Sequence, residues 1–176
     1  MEGIDSKAQS DYAIPGLILM EQAGTQAWRA LIERIASRNW KEQRFLFIAG
    51  GGNNGGDALV MAREALFAGL QNSTVLLVGS RISNTCATQR NICRSLGLNL
   101  VEAESDGNSL SENTLKLVGE ADVIVDGLAG TGLRGMLTGL PAELVKAVNA
   151  RKVQGAFICS VDVPSGCSDL VSSAAA

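Results

Sequence analysis

Short apolar runs alternate with stretches of helical periodicity along this chain, and several of the runs end in glycine or aspartate. Phe45–Ala49, Thr74–Val78, Asp122–Asp126 and Ala156–Val161 have strand length and read as strands buried on both faces, and Leu98–Glu102 is a weaker strand. Between them, Leu17–Ser37, Asp57–Gly69, Asn84–Leu96, Ser109–Val118 and Leu140–Ala150 carry apolar residues near a 3.6-residue period. Pro141 sits in the first turn of the last of these, a favoured place for proline. Strands buried on both faces and separated by helices predict βαβ units. The expected fold is a three-layer α/β/α, Rossmann-like domain with a mostly parallel central sheet.

In such sheets ligands bind beyond the carboxyl ends of the strands. Three strand ends here carry polar or glycine-rich loops: Gly50–Asp57, Asp126–Gly139 and Asp162–Gly166. The first reads Gly-Gly-Gly-Asn-Asn-Gly-Gly-Asp and precedes a helix. Its backbone N–H groups and the helix dipole suit an anion. Its GxGxxG spacing is weak on its own, and no Lys-Ser/Thr follows to make a phosphate-binding P-loop. A plain turn with Asp57 as helix cap is the simpler alternative. In the second loop Gly130-Thr131-Gly132 can wrap a phosphate or ribose, and Arg134 can neutralise a phosphate or stand as a solvated charge. In the third, a strand ends in Asp162 and a proline-fixed turn presents Ser165. Asn54, Asp126 and Ser165 can converge as an all-oxygen set with one carboxylate, which suits a hard, weakly held cation.

Composition narrows the chemistry. The chain has 176 residues, 46% of them hydrophobic and 19% charged, which fits one globular domain. The net charge of −3 and the lack of a dense basic run argue against nucleic acid as a partner. No apolar stretch reaches the roughly 18 residues of a membrane span, and the start is not a signal peptide. Cys86, Cys93, Cys159 and Cys167 form no CxxC pair, so free thiols and a cytoplasmic location are expected. Histidine is absent. This excludes Ser-His-Asp and Cys-His catalysis and leaves Asp, Glu, Lys, Tyr or Cys as proton carriers.

Read together, Gly50–Asp57, Asp126 with Gly130–Gly135, and Val161–Gly166 resemble the three signatures of YjeF N-terminal domains. Ala13–Gly24 is similar to the opening helix of that family. The resemblance implies an isomerase, an NAD(P)H-hydrate epimerase that interconverts the R and S forms of hydrated NADH or NADPH (NADHX, NADPHX) in nicotinamide nucleotide repair. It implies that Asn53, Asn54, Gly55, Gly56 and Asp57, with Gly130, Thr131, Gly132, Leu133, Arg134, Gly135 and Met136, contact the hydrated dinucleotide together with Asp162. It implies one potassium ion per subunit, held by Asn54, Asp126 and Ser165. It further implies a homodimer, for which the helix bearing Trp28 is one candidate surface, and a dehydratase, fused or separate, that consumes the S form. Asp162 is the first choice of catalytic acid–base, on the ground of its position.

The match has departures. Ala58 stands where the family usually has glycine, so its methyl is expected to crowd the helix start, and Gln22 replaces an asparagine. The family continues for some tens of residues beyond Ser165, so residues 1–176 are expected to form a single domain truncated at its C-terminal end. Two rival readings stand beside the enzyme. One is a non-catalytic scaffold or protein- or RNA-binding module of the same fold, but Asn54, Asp126, Asp162 and Ser165 are all present. The other is an ordinary dehydrogenase, which would carry an acidic residue after its second strand, where this chain has Gly79-Ser80-Arg81.

Overall fold

The computed structural model describes residues 2–106, 109–133 and 135–167. In chain order the elements are α1 (Glu2–Tyr12), α2 (Gly16–Arg34), a 3₁₀ turn (Trp40–Glu42), β1 (Phe45–Ala49), α3 (Asn53–Phe67), β2 (Ser73–Leu77), α4 (Asn84–Ser95), β3 (Leu100–Glu102), β4 (Ser105–Asp106), β5 (Ser109–Leu110), α5 (Glu112–Glu120), β6 (Val123–Gly127), α6 (Leu140–Val153) and β7 (Phe157–Ser160). Five strands make one parallel sheet in the order β3-β2-β1-β6-β7. β4 and β5 form a separate antiparallel pair.

Strand alternation sorts the core into two layers. Phe45, Phe47, Ala49, Val75, Leu77, Val123 and Val125 face α2, α3 and α4. Leu46, Ile48, Leu76 and Ile124 face α5 and α6 through Val118, Leu144 and Val148. This is the three-layer α/β/α arrangement expected. β1 is buried along its whole length because it pairs on both sides. Trp28 of α2 packs edge-on to Trp40 at 5.9 Å and lies 6.0 Å from Phe45. It is 6% exposed and belongs to the core. Among the described residues no helix is long and apolar enough to cross a membrane.

Three elements depart from expectation. α3 begins at Asn53, four residues before the expected start, so most of the glycine-rich loop is helix. Asp57 is therefore inside the helix and not its cap. The same helix buries Arg63 and leaves Phe67 63% exposed. α1 was not expected at all, and the segment around Ser109 pairs with β4 before α5 starts.

Candidate functional site

The strand order turns at β1. From there the chain moves outward through β2 and β3, then returns to the other side of β1 with β6 and β7. The β1/β6 boundary is the topological switch point, where parallel sheets open a crevice for ligands. Ala49 pairs with Gly127 and Asp126 with Ser160, so β1, β6 and β7 end level with one another. All three loops singled out in the sequence leave from these ends. Gly50 follows β1 at a point where a Cβ would lie 2.1 Å from the Leu128 carbonyl oxygen, so only glycine lets the first two loops cross this closely.

The second and third loops are joined through Asp126, which is buried at the end of β6. Its carboxylate accepts from the Ser165 amide at 2.9 Å, the Ser165 hydroxyl at 2.6 Å, the Leu128 amide at 3.2 Å and the Ser160 hydroxyl at 3.4 Å. Burying a carboxylate is costly unless its oxygens are hydrogen-bonded, and these four donors satisfy them. The Ser165 Oγ also accepts from the Ala129 amide at 2.9 Å and lies 3.0 Å from the Ala129 carbonyl oxygen. One hydroxyl carries one proton, and the shorter contact is with the carboxylate. The Ala129 contact is then oxygen against oxygen, an arrangement that a nearby cation would relieve.

Asn54 ties in the first loop. Its Nδ2 donates to the Val161 carbonyl at 2.7 Å, which leaves Oδ1 with no donor among the described residues. The amide lies on Gly130, where a Cβ would come within 2.3 Å of Nδ2. Asn54, Gly130 and Val161, one from each loop, thus meet at a single point. The three oxygen-bearing side chains Asn54, Asp126 and Ser165 belong to one connected constellation, and all donors in it are hard.

Asp162 stands at the mouth, exposed, with the left-handed φ of 68°. Its Oδ2 accepts from both the amide (3.2 Å) and the hydroxyl (2.9 Å) of Thr131. Asp57 lies one turn along α3 from Asn54 and is partly buried. Burial pushes its carboxyl up to about 7, aided by the negative charges of Asp5 and Asp162. α3 has no side-chain cap at Gly52, so the N–H groups of its first turn are open to an anionic ligand.

The remaining expected residues divide. Asn53, Thr131, Gly132, Gly135 and Met136 are exposed, and Leu133 is half-buried. Gly55 and Gly56 are buried within the packing of α3, Gly56 against Met20 and Gly55 against the Gly50 carbonyl. Arg134 lies outside the described residues. Ala58 does not crowd the helix start, because its methyl group packs where Gly127 has no side chain. Gln22 is exposed. Cys86 and Cys93 are buried, and burial raises each thiol to about 11, so neither is a nucleophile at neutral pH.

Behind the site is a network not foreseen from the sequence. Arg63 donates to Glu21 of α2 and, at 2.9 Å, to the buried Gln89 of α4. Gln89 in turn donates to Glu21 at 2.7 Å. Burial works against the Glu21 charge, but hydrogen bonds from Arg63 and Gln89 and the guanidinium charge prevail and lower its pKa. The only sign in the sequence was an arginine within an apolar helical stripe. A cavity of about 330 Å³ also exists at the amino-terminal ends of β1 and β2, lined by Arg44, Asn72, Thr74, Asn99 and Glu120. It is at the opposite end of the sheet from the three loops.

Fold and cleft define a Rossmann-like α/β protein with an oxygen-lined crevice at its switch point. The chain belongs to the family of YjeF-related protein N-termini, whose model matches residues 16–175. It is 34% identical over 164 residues to the NAD(P)H-hydrate epimerase of Rhodopirellula baltica, covering 93% of this chain and 62% of that protein. It is 34% identical over 167 residues to the bifunctional NAD(P)H-hydrate repair enzyme Nnr of Moorella thermoacetica, covering 94% of this chain and 30% of that one. A crystal structure of the yeast protein YNL200c is similar with a TM-score of 0.75 at 25% identity, covering 94% of this chain and 68% of that one. The chain thus spans less than two thirds of the length of either of these two curated relatives.

Proposed function

We propose that this chain carries the epimerase activity of its relatives, interconverting the R and S forms of hydrated NADH or NADPH. The observation that carries the reading is the joining of three loops at the switch point, with Asn54, Asp126, Asp162 and Ser165 all in place. Relatives over more than nine tenths of this chain are named NAD(P)H-hydrate epimerase or bifunctional NAD(P)H-hydrate repair enzyme. The open first turn of α3 and the Gly130–Gly132 loop take the pyrophosphate and ribose. Asp162, fixed by Thr131, faces the hydrated ring.

The inverted carbon bears a hydroxyl and is bonded to the ring nitrogen. Inversion by loss and return of water needs a proton carrier near that hydroxyl, and Asp162 fills that position. Asn54, Asp126 and Ser165 would hold one potassium ion, which would tie the loops together and offset their negative charge. The S product passes to a dehydratase, fused as in the bifunctional relatives or separate, and the enzyme works as a homodimer.

The test is incubation with purified R-hydrate and separation of the two forms by chromatography. The reading predicts equilibration far above the uncatalysed rate, and its loss in Asp162→Ala with folding intact. A folded protein that leaves the R form untouched would instead favour a non-catalytic scaffold.

A further inference from the structure

The cleft holds a second carboxylate in a different environment from Asp162. Asn54 and Asp57 are three residues apart on α3 and so share a face. Asn54 touches the Val161 carbonyl, which places Asp57 one turn along beside the loop that carries Asp162. The negative charge of Asp162 is among the causes that raise the Asp57 carboxyl. Their surroundings differ. Asp162 accepts two hydrogen bonds from Thr131, whereas the Asp57 carboxylate accepts none among the described residues and is partly buried. The charged groups acting on Asp57 are acidic: Asp5 from α1 and Asp162 from the third loop, with the un-ionised Cys86 of α4 nearby. A partly buried carboxyl group without donors, on the same cleft as one that accepts two hydrogen bonds, is placed to serve as the acid of an acid–base pair.

Resting on the epimerase reading, we propose that Asp57 is the proton donor of the reaction, acting on one face of the hydrated ring while Asp162 accepts a proton on the other. Asp57 gives its proton to the ring hydroxyl. The carbon–oxygen bond breaks, its electron pair leaves with the oxygen as water, and the ring nitrogen's lone pair forms the C=N bond of an iminium. A water on the opposite face then adds to the carbon and gives a proton to Asp162, and the nitrogen regains its lone pair. The turnover leaves Asp57 ionised and Asp162 protonated, and exchange with solvent restores the starting state. The reverse direction uses the other arrangement of the same singly protonated pair, so no oxidant or reductant is needed.

The experiment is a pH profile of kcat and KM for purified R-hydrate with the wild-type chain and three variants. Wild type is expected to lose activity as pH rises through about 7, the value to which Asp57 is raised. Asp57→Asn is expected to lower kcat by about 10²–10⁴ with little change in KM and to lose that basic limb. Asp57→Glu restores part of the rate together with the limb. Asp5→Asn, which removes one of the charges acting on Asp57, moves the limb to lower pH. A folded Asp57→Asn protein that keeps most of its kcat and the same limb overturns the proposal while leaving the epimerase reading intact. So does a loss confined to KM, which would make Asp57 a binding group only. Wild-type protein with no epimerisation at any pH would instead remove the reading beneath it.

Discussion

Replacing Asp126 separates two roles that the cleft gives to one carboxylate, because Asn and Ala remove different parts of it. Asp126→Asn can be accommodated. With its amide nitrogen at the Oδ1 position, it would donate to the Ser165 Oγ, whose proton would turn to the Ala129 carbonyl 3.0 Å away, while the remaining oxygen still accepts from the Ser165 amide. What is lost is the Leu128 amide contact at 3.2 Å and the charge assistance of the other bonds. That amounts to about 1–2 kcal/mol. Asp126→Ala leaves the buried Ser165 amide without an acceptor and cuts the joint between the second and third loops, at a cost of about 3–5 kcal/mol. The assay is urea denaturation in potassium chloride and in a matched buffer with a bulky organic cation. If the carboxylate also holds potassium, wild type gains about 1.4 kcal/mol in potassium at ten times the dissociation constant. Both variants lose that gain. An alanine variant within about 0.5 kcal/mol of wild type would refute the claim that this carboxylate joins the loops. An asparagine variant as unstable as alanine would refute the proposed rearrangement.

Other predictions follow from neighbouring contacts. Gly130→Ala drives a methyl group into the Asn54 amide and displaces it from Val161, costing about 1–3 kcal/mol in thermal or chemical melting. An unchanged melting point would show that Asn54 moves freely. Glu21→Ala strands the Arg63 guanidinium with Gln89 alone and costs about 2–4 kcal/mol, below the full buried-pair value because Glu21 is about a third exposed. Asp57 gives a pH signature without substrate. Its folded pKa of about 7 lies above the unfolded value of 3.8, so its favourable contribution is complete below pH 4 and is lost as pH rises to 7. Asp57→Asn should therefore gain on wild type across that window, by up to about 4 kcal/mol at pH 8, and a difference independent of pH would contradict this.

Much of the architecture was legible because burial on both faces leaves a plain mark in sequence. β1 is Phe45–Ala49 as expected, and α4 begins at Asn84, where Ser83 accepts from the Cys86 amide at 3.3 Å. The start of α3 was missed because Gly55 and Gly56 are poor helix formers. They are helical because tertiary packing needs them bare, one against the Gly50 carbonyl and the other against Met20. α1 is a polar helix whose pattern resembles a loop. The three-loop site could be located from sequence, since strand ends in a parallel sheet share one edge. Its internal bonds could not. That Ser165 fastens to Asp126, that Thr131 holds Asp162, and that the Asp57 carboxylate accepts no hydrogen bond among the described residues depend on side-chain directions within a turn, which residue spacing does not encode.

The most direct measurement is a crystal structure of the chain soaked with the nicotinamide dinucleotide hydrate and with rubidium in place of potassium. The account predicts anomalous density among Asn54, Asp126 and Ser165, the pyrophosphate at the first turn of α3, and the hydrated ring between Asp57 and Asp162. A nucleotide seated elsewhere, such as the cavity by Arg44 and Asn99 at the other end of the strands, would contradict it.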